Sequence, residues 1–309
     1  MALALEARAK VNLHLAVIGR REDGYHEVET VLHTLALGDS LYCEECPAGV
    51  ELSILTETRT GLPVEPDEDN LVKRAARSFF AVTGADLGFR FHLVKRIPAG
   101  GGLGGGSSNA AAALRLMNAT VQDPLPPEQL YDLARGLGAD VPFFLAGGTQ
   151  VGRGVGDELE PLPDEPKLQF LLILPRVGTS TRAVYENLRA QLTVGRGKAS
   201  IPRHKVFAHK EFSLPTDFPN PLEASALQLY PELRSIRRRV EEAGYPDVRM
   251  TGSGSTFFLA RSDAGACVAA RDTLSSLADL EVDLVQTESA AIRFAAAQHP
   301  FQVPFPGTG

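Results

Sequence analysis

Tryptophan is absent from the 309-residue chain, and cysteine, at three, is scarce. Three thiols cannot build the disulfide framework of a small secreted fold, and an odd number points to a reducing compartment, the cytoplasm. Cys43-Glu44-Glu45-Cys46 has the spacing of a redox pair or half a zinc site. Cys267 is remote from it, however, and no histidine lies close by, so neither chemistry is expected. The seven histidines (His14, His26, His33, His92, His204, His209, His299) show no metal-binding spacing, which leaves no dedicated metal cage to expect. Positive charge is also in deficit. With 31 basic against 38 acidic residues the net charge is -7, the wrong sign for a chain whose main partner is a nucleic-acid backbone. No apolar run approaches the roughly 18 residues of a membrane span; Val141 to Gly148 and Phe170 to Pro175 have the length of core segments. Met1 to Arg8 carries no basic leader region and is interrupted by Glu6, so neither a secretory signal nor a transit peptide is expected.

What is present is an ordinary globular composition, 44% hydrophobic and 22% charged, with length enough for two domains. Lys10 to Ile18 alternates: Val11, Leu13, Leu15 and Val17 fall on one face of a half-buried strand, and Lys10, Asn12 and His14 on the other. Val28 to Leu35 and Ser40 to Cys43 read as further strands beyond a charged loop over Gly19 to Tyr25. Asp69-Asn70 opens an amphipathic helix that ends before Gly84, and Phe89, Phe91 and Leu93 mark another strand, stopped by Pro98. Ser107 to Asn118 is rich in helix formers, and a second helix runs from Glu128 to Leu137, closed by Gly138. Asp140-Val141-Pro142 has the pattern of a helix N-cap. After the glycine-punctuated segment Gly147 to Gly156, Pro161, Pro163 and Pro166 mark a linker. The expected units are therefore residues 1–160, residues 161–288 and a tail, 289–309, whose proline-rich end from His299 is expected to fray. The second unit mixes strands and helices with a polar insert over Thr193 to Pro219. Mixed elements in both units, with consecutive strands in the first, indicate an α+β fold.

The densest signal is Pro98-Ala99-Gly100-Gly101-Gly102-Leu103-Gly104-Gly105-Gly106-Ser107-Ser108-Asn109, directly ahead of the strongest helix. Glycine is entropically costly, and the compensation expected here is close approach of backbone N–H groups to an anion, best a phosphate chain, at a helix N-terminus. The loop is not a Walker A motif, because Ser107 stands where the lysine belongs. It formally matches the dinucleotide fingerprint, but the acidic residue about twenty positions on is Asp123, in a proline-rich loop rather than at a strand end. The protein-kinase motifs His-Arg-Asp and Asp-Phe-Gly do not occur.

This block resembles the central motif of the GHMP kinases, small-molecule kinases named after galactose, homoserine, mevalonate and phosphomevalonate. Two more blocks agree: Ala9-Lys10-Val11-Asn12-Leu13 resembles the N-terminal motif of the family, and Met250-Thr251-Gly252-Ser253-Gly254-Ser255 with Phe257 its C-terminal glycine motif. Gly24-Tyr25-His26, Asp69-Asn70-Leu71 and Leu137-Gly138-Ala139-Asp140-Val141-Pro142 narrow the resemblance to the branch that phosphorylates a cytidine diphosphate derivative in isoprenoid precursor synthesis. Homoserine or mevalonate as acceptor, or a nucleotide-binding protein without catalysis, are the competing readings. The chain departs from the family at Arg8, where a proline is usual, and in the insert at 193–219.

The resemblance implies a two-domain fold with the active site in the cleft between domains, ATP as donor, and Mg2+ arriving with it. It implies Asp140 as the acceptor of the hydroxyl proton and Lys10 beside it near the γ-phosphate. Gly101, Gly102, Leu103, Gly104, Gly105, Gly106, Ser107 and Ser108 would wrap the phosphates, with Asn70 and Lys95 near the adenine. Tyr25, His26 and Tyr185 would hold the cytosine, with Asn12 and Thr181 as polar partners. Ser107 is the one protein oxygen expected near the metal, whose other ligands the sequence leaves open.

Overall fold

The structure, a computed structural model, describes residues 2–58, 62–84, 87–162, 168–191, 220–277, 282–289 and 301–303. The chain opens with two long strands, β1 (Ala2–Arg20) and β2 (His26–Cys46), followed by β3 (Val50–Thr56), α1 (Leu71–Thr83), β4 (Gly88–Lys95), α2 (Gly105–Thr120), α3 (Pro127–Leu137) and α4 (Val141–Ala146). The hairpin β5 (Thr149–Arg153) and β6 (Glu158–Leu162) follows. Then come β7 (Gln169–Pro175), α5 (Thr181–Gln191), α6 (Pro221–Leu229), α7 (Pro231–Glu242), β8 (Arg249–Met250), β9 (Phe257–Arg261), α8 (Ala264–Ser275), β10 (Val282–Glu288) and β11 (Phe301–Val303).

Two sheets organise these elements. The first runs β11-β1-β2-β4-β3 with β5 and β6 attached through β2, and the second runs β10-β7-β9-β8. Phe79, Phe89, Phe91, Leu114 and Phe143 fill the core between the first sheet and α1 to α4, each fully buried. Burial of such a side chain contributes about 1.5–3 kcal/mol. A second core gathers Leu171, Ile173, Val184, Leu233, Val240 and Phe257 between the second sheet and its helices. A third joins Val11, Leu13, Val31 and Leu103 to Phe170, Leu172 and Phe258, so Ala9, Val11 and Leu13 of β1 bind the two sheets together. Lys10 and Asn12 lie on the opposite face, as the alternation predicts.

The pairing of β1 with β2 shifts register between Arg8 and Lys10 and again between Asn12 and His14. Such irregularities bend a strand and re-aim its side chains. Lys10, Val11 and Asn12 therefore form a short segment between two bends, opposite Thr34, His33 and Leu32.

Several expectations change. Val28–Leu35 and Ser40–Cys43 are parts of one strand. Arg8 lies within β1 opposite Gly38, its guanidinium hydrogen-bonded to the Ala36 carbonyl. Pro161 is in β6 opposite Gln150 rather than in a linker, and Pro163 and Pro166 lie outside the described residues. The tail does not simply fray: Phe301, Gln302 and Val303 pair antiparallel with Ala4, Leu3 and Ala2, because the first residues of β1 present a free strand edge. The insert at 193–219 lies outside the described residues. All three cysteines are buried thiols without disulfides.

Candidate active site

A cleft of about 900 Å³ is lined by β1, the loop after β1, the glycine loop, the turn before α4, the start of α5 and the turn after β8. Its floor is the junction of the glycine loop with α2. Gly104 precedes the helix in a left-handed conformation and no side chain caps the first turn. The first N–H groups of a helix have no intrahelical partner, so those of Gly105, Gly106 and Ser107 are donors for an anion at the positive end of a 16-residue helix.

The reason for glycine differs from the sequence expectation at two positions. Gly102 has φ 74°, and a Cβ there would lie 2.4 Å from the Thr251 carbonyl oxygen. At Gly104, φ 71°, it would lie 2.7 Å from the Phe144 ring. Neighbouring protein, not a ligand alone, excludes side chains here. Gly106 is the contrast, with Leu71 at an ordinary 3.4 Å.

Lys10 stands over this junction. Its backbone N–H donates to the Leu103 carbonyl at 3.0 Å, which fastens the loop to β1. Its Nζ is 3.4 Å from Asp140 Oδ2 and donates to Asn12 Oδ1 at 2.7 Å. Asp140 occupies the position before α4 but does not cap it: its backbone is already helical (φ -83°, ψ -14°) and its side chain makes no capping bond. The N-cap expectation is thus corrected, and the carboxylate, 36% exposed, faces the cleft. Beside it, burial and then the Asp140 charge push the Tyr185 phenol up to about 12.

The far end of the cleft is aromatic. His26 and Tyr185 rings approach with centroids 5.0 Å apart at 33°, and Tyr25 stands at the rim, 66% exposed. An exposed ring beside a ring pair is a surface on which a flat heterocycle can stack. Thr181 also lines the cleft, with Oγ1 2.8 Å from Ser253 Oγ.

The structure brings Lys10, Asn12, Tyr25, His26, Gly101 to Ser107, Asp140, Thr181 and Tyr185 together around the cleft. Three expected residues fall outside its lining. Asn70 caps α1, its Oδ1 accepting from Val72 N at 3.0 Å. Ser108 is buried in the first turn of α2. Lys95 lies beneath the loop, with Nζ 2.6 Å from Asp39 Oδ2 and 2.6 Å from the Ile97 carbonyl oxygen. Burial lowers its pKa against the opposing influence of Asp39. Asp39 accepts further from Asn109 Nδ2 and from the backbone N–H groups of Arg96 and Ile97, so this buried pair supports the loop from beneath.

Asn12 lines the cleft, but its amide is engaged by Lys10 and by Thr30 rather than held out toward a ring. Sequence reasoning also left out Arg182 and Glu186, an i,i+4 pair of α5 at the cleft. A helix start with Thr181 and Tyr185 on one face carried that signal. Thr251 was quoted only as part of a motif. Its Oγ1 accepts from Asn12 N at 3.0 Å and donates to the Gly102 carbonyl at 3.2 Å, tying the C-terminal motif to the other two.

Among the described residues no group of three His, Cys, Asp or Glu side chains could hold a metal ion. The Ser107 hydroxyl at the start of α2 fits a Mg2+ that takes most of its ligands from phosphate and water.

Fold and motifs together define the class, a small-molecule kinase of the GHMP type. The family described as GHMP kinases N terminal domain matches residues 70–148. A 4-diphosphocytidyl-2-C-methyl-D-erythritol kinase of Pelotomaculum thermopropionicum is 39% identical over 84% of this chain and 88% of its own length. That of Solibacter usitatus is 36% identical over 96% and 93%. A crystal structure of 4-(cytidine 5'-diphospho)-2C-methyl-D-erythritol kinase superposes with a TM-score of 0.74 at 34% identity, covering 93% of this chain and 100% of that one. The chain belongs to the 4-diphosphocytidyl-2-C-methyl-D-erythritol kinase family of the GHMP kinases. It is an enzyme that uses ATP as phosphate donor and acts on a small molecule. Among the described residues no helix is long and apolar enough to cross a membrane.

Proposed function

We propose that the enzyme transfers the γ-phosphoryl group of ATP to the 2-hydroxyl of 4-diphosphocytidyl-2-C-methyl-D-erythritol, in the cytoplasmic, non-mevalonate synthesis of isoprenoid precursors. The observation that carries the mechanism is the Lys10–Asp140 pair, 3.4 Å apart at the mouth of an uncapped helix N-terminus. Residues 1–160 supply this pair and the phosphate loop, and residues 161–288 supply Thr181 and Tyr185 to the acceptor side.

The N–H groups at the start of α2 hold the phosphate chain of ATP, and the acceptor lies with its cytosine against Tyr25, His26 and Tyr185. Its 2-hydroxyl then reaches Asp140, whose Oδ takes the proton as the oxygen bonds to the γ-phosphorus and the bond to the ADP oxygen breaks. Lys10 offsets negative charge gathering on the phosphoryl oxygens, and the bond it donates to Asn12 Oδ1 holds it in position. Mg2+ with Ser107 as a protein oxygen would neutralise phosphate charge when bound.

Phosphorus NMR of ATP with a panel of alcohols tests the assignment. The cytidyl substrate is expected to yield ADP and a new phosphomonoester. Equal use of homoserine or mevalonate would remove the specific acceptor and keep the class; consumption of none would remove the kinase mechanism.

A further inference from the structure

The catalytic face of β1 is held by a buried hydrogen-bond chain whose last member touches neither substrate site. Lys10 Nζ donates to Asn12 Oδ1 at 2.7 Å; Asn12 Nδ2 donates to Thr30 Oγ1 at 2.8 Å; Thr30 Oγ1 donates to the His14 carbonyl at 2.7 Å. Lys10, Asn12 and Thr30 are 4%, 7% and 3% exposed, so none of these bonds is readily replaced by water. Thr30 is on β2 opposite Leu15, just past the second bend of β1.

The direction of the chain follows from donor counting. A hydroxyl has one proton, and that of Thr30 is committed to the His14 carbonyl, which has only acceptor capacity. The hydroxyl therefore meets Asn12 with a lone pair, and only the amide nitrogen of Asn12 can satisfy it. That fixes the amide with Oδ1 toward Lys10. The flipped amide would set N–H groups against an ammonium that has three donors and no acceptor, and would turn its oxygen toward the Thr30 lone pair. Thr251 Oγ1 holds the Asn12 backbone N–H at 3.0 Å and also lies 3.3 Å from Asn12 Oδ1, where a proton from it would favour the same amide orientation.

We propose that Thr30 is a positioning residue for phosphoryl transfer: its hydroxyl sets the orientation of the Asn12 amide and, through it, holds the Lys10 ammonium over the Asp140 carboxylate. The inference rests on the reading that Lys10 acts in the chemical step. It assigns a role in catalysis to a residue that contacts no substrate.

Thr30→Val deletes the hydroxyl while retaining a branched strand residue. Misplacing a catalytic group is expected to lower kcat on the order of 10–100-fold, with KM for ATP and acceptor within about twofold, because binding groups are untouched. Thr30→Ser keeps the hydroxyl and is expected to bring kcat back to within about threefold of wild type. In a Lys10→Met background Thr30→Val is expected to have no further effect, since the cation it positions is gone. Binding of an unreactive ATP analogue reports whether each variant is folded, and Thr30→Ala takes the place of valine if the latter is not. A kcat within threefold of wild type for a folded hydroxyl-deletion variant would overturn the proposal, as would failure of serine to restore activity, or losses that multiply in the double variant. Wild-type kcat for Lys10→Met alone would instead remove the reading beneath it.

Discussion

Lys95 and Asp39 meet at 2.6 Å with side chains 2% and 0% exposed, beside Gly105. Lys10 and Asp140 meet at 3.4 Å with side chains 5% and 36% exposed, beside Gly104. The two pairs flank the same junction between loop and helix, yet their remaining valences differ. Asp39 accepts four hydrogen bonds from groups of the protein, so no lone pair is left for a ligand. Asp140 makes no capping bond and opens on the cleft. A closed, satisfied ion pair gives shape at a desolvation cost. An open one keeps reactive capacity because its geometry is completed by a substrate. On the proposed mechanism the looser of the two contacts is the one used in chemistry.

Exchanging the cations sharpens the contrast most. Lys95→Met leaves Asp39 charged and buried, and should lower unfolding stability by about 3–5 kcal/mol. Lys10→Met removes the stronger of two donors to Asn12 Oδ1 and leaves the Thr251 hydroxyl at 3.3 Å, a cost of about 1–3 kcal/mol at most, while kcat falls. Urea unfolding of the two variants side by side reads the difference; equal losses of stability would erase the distinction between the pairs.

The glycine loop divides in the same way between support and site. Gly102→Ala forces a Cβ toward the Thr251 carbonyl at positive φ and should destabilise the fold by about 1–3 kcal/mol. Gly106→Ala finds room and adds helix propensity, so stability should hold or rise by up to about 1 kcal/mol. Thermal unfolding separates them, and a destabilised Gly106→Ala would mean that the first turn of α2 is packed more tightly than its neighbours indicate.

At the acceptor end, His26→Ala should cost about 1–3 kcal/mol of affinity for the cytidyl substrate, by analogy with base stacking on aromatic residues. Calorimetric titration with an ATP analogue should be nearly unchanged. Equal weakening of both ligands would show that the ring holds the cleft together rather than one substrate.

A titration effect arises outside the cleft lining. Burial lowers the pKa of both His14 and His33 from 6.5 to about 4. Between these limits the unfolded chain binds more protons than the folded one, so the contribution is whole above pH 6.5 and declines as pH falls toward 4. Each histidine should remove about 1.4 kcal/mol per pH unit in that window. Denaturant midpoints from pH 7 to 4.5 measure it, and His33→Gln, which can keep one bond to Thr149 or Ser289, should flatten the slope.

Local patterns revealed much of this in advance. Alternation over Lys10 to Ile18 put Lys10 and Asn12 on one face, and the glycine run ahead of Ser107 located the helix N-terminus, because both are properties of neighbouring residues. The difference between Lys10 and Lys95 was hidden: both are strand lysines, and what separates them is Asp39, 56 residues before Lys95 and itself bonded by Asn109, 70 residues after it. Asp140 reads as a cap because residue type and the following proline fit one; its helical backbone angles, set by the turn after α3, take the carboxylate elsewhere. Thr30 and Thr251 carry no motif of their own role, since their partners lie on other strands and loops. β11 was hidden because a three-residue strand needs the edge of β1 to exist.

Asp140→Asn tests the central claim, that the open pair is the catalytic one, most directly. The rate of ATP-dependent phosphorylation of the cytidyl substrate is measured at saturation, with ATP-analogue affinity and unfolding midpoint determined on the same sample. Loss of a proton acceptor should lower kcat roughly 10²–10⁴-fold; ATP-analogue affinity should stay at the wild-type value, and the midpoint should fall only modestly, because the buried Lys10 ammonium loses a partly exposed counter-charge but keeps Asn12 Oδ1, and Asp140 does not cap α4. A folded variant with kcat within a few-fold of wild type would contradict the account.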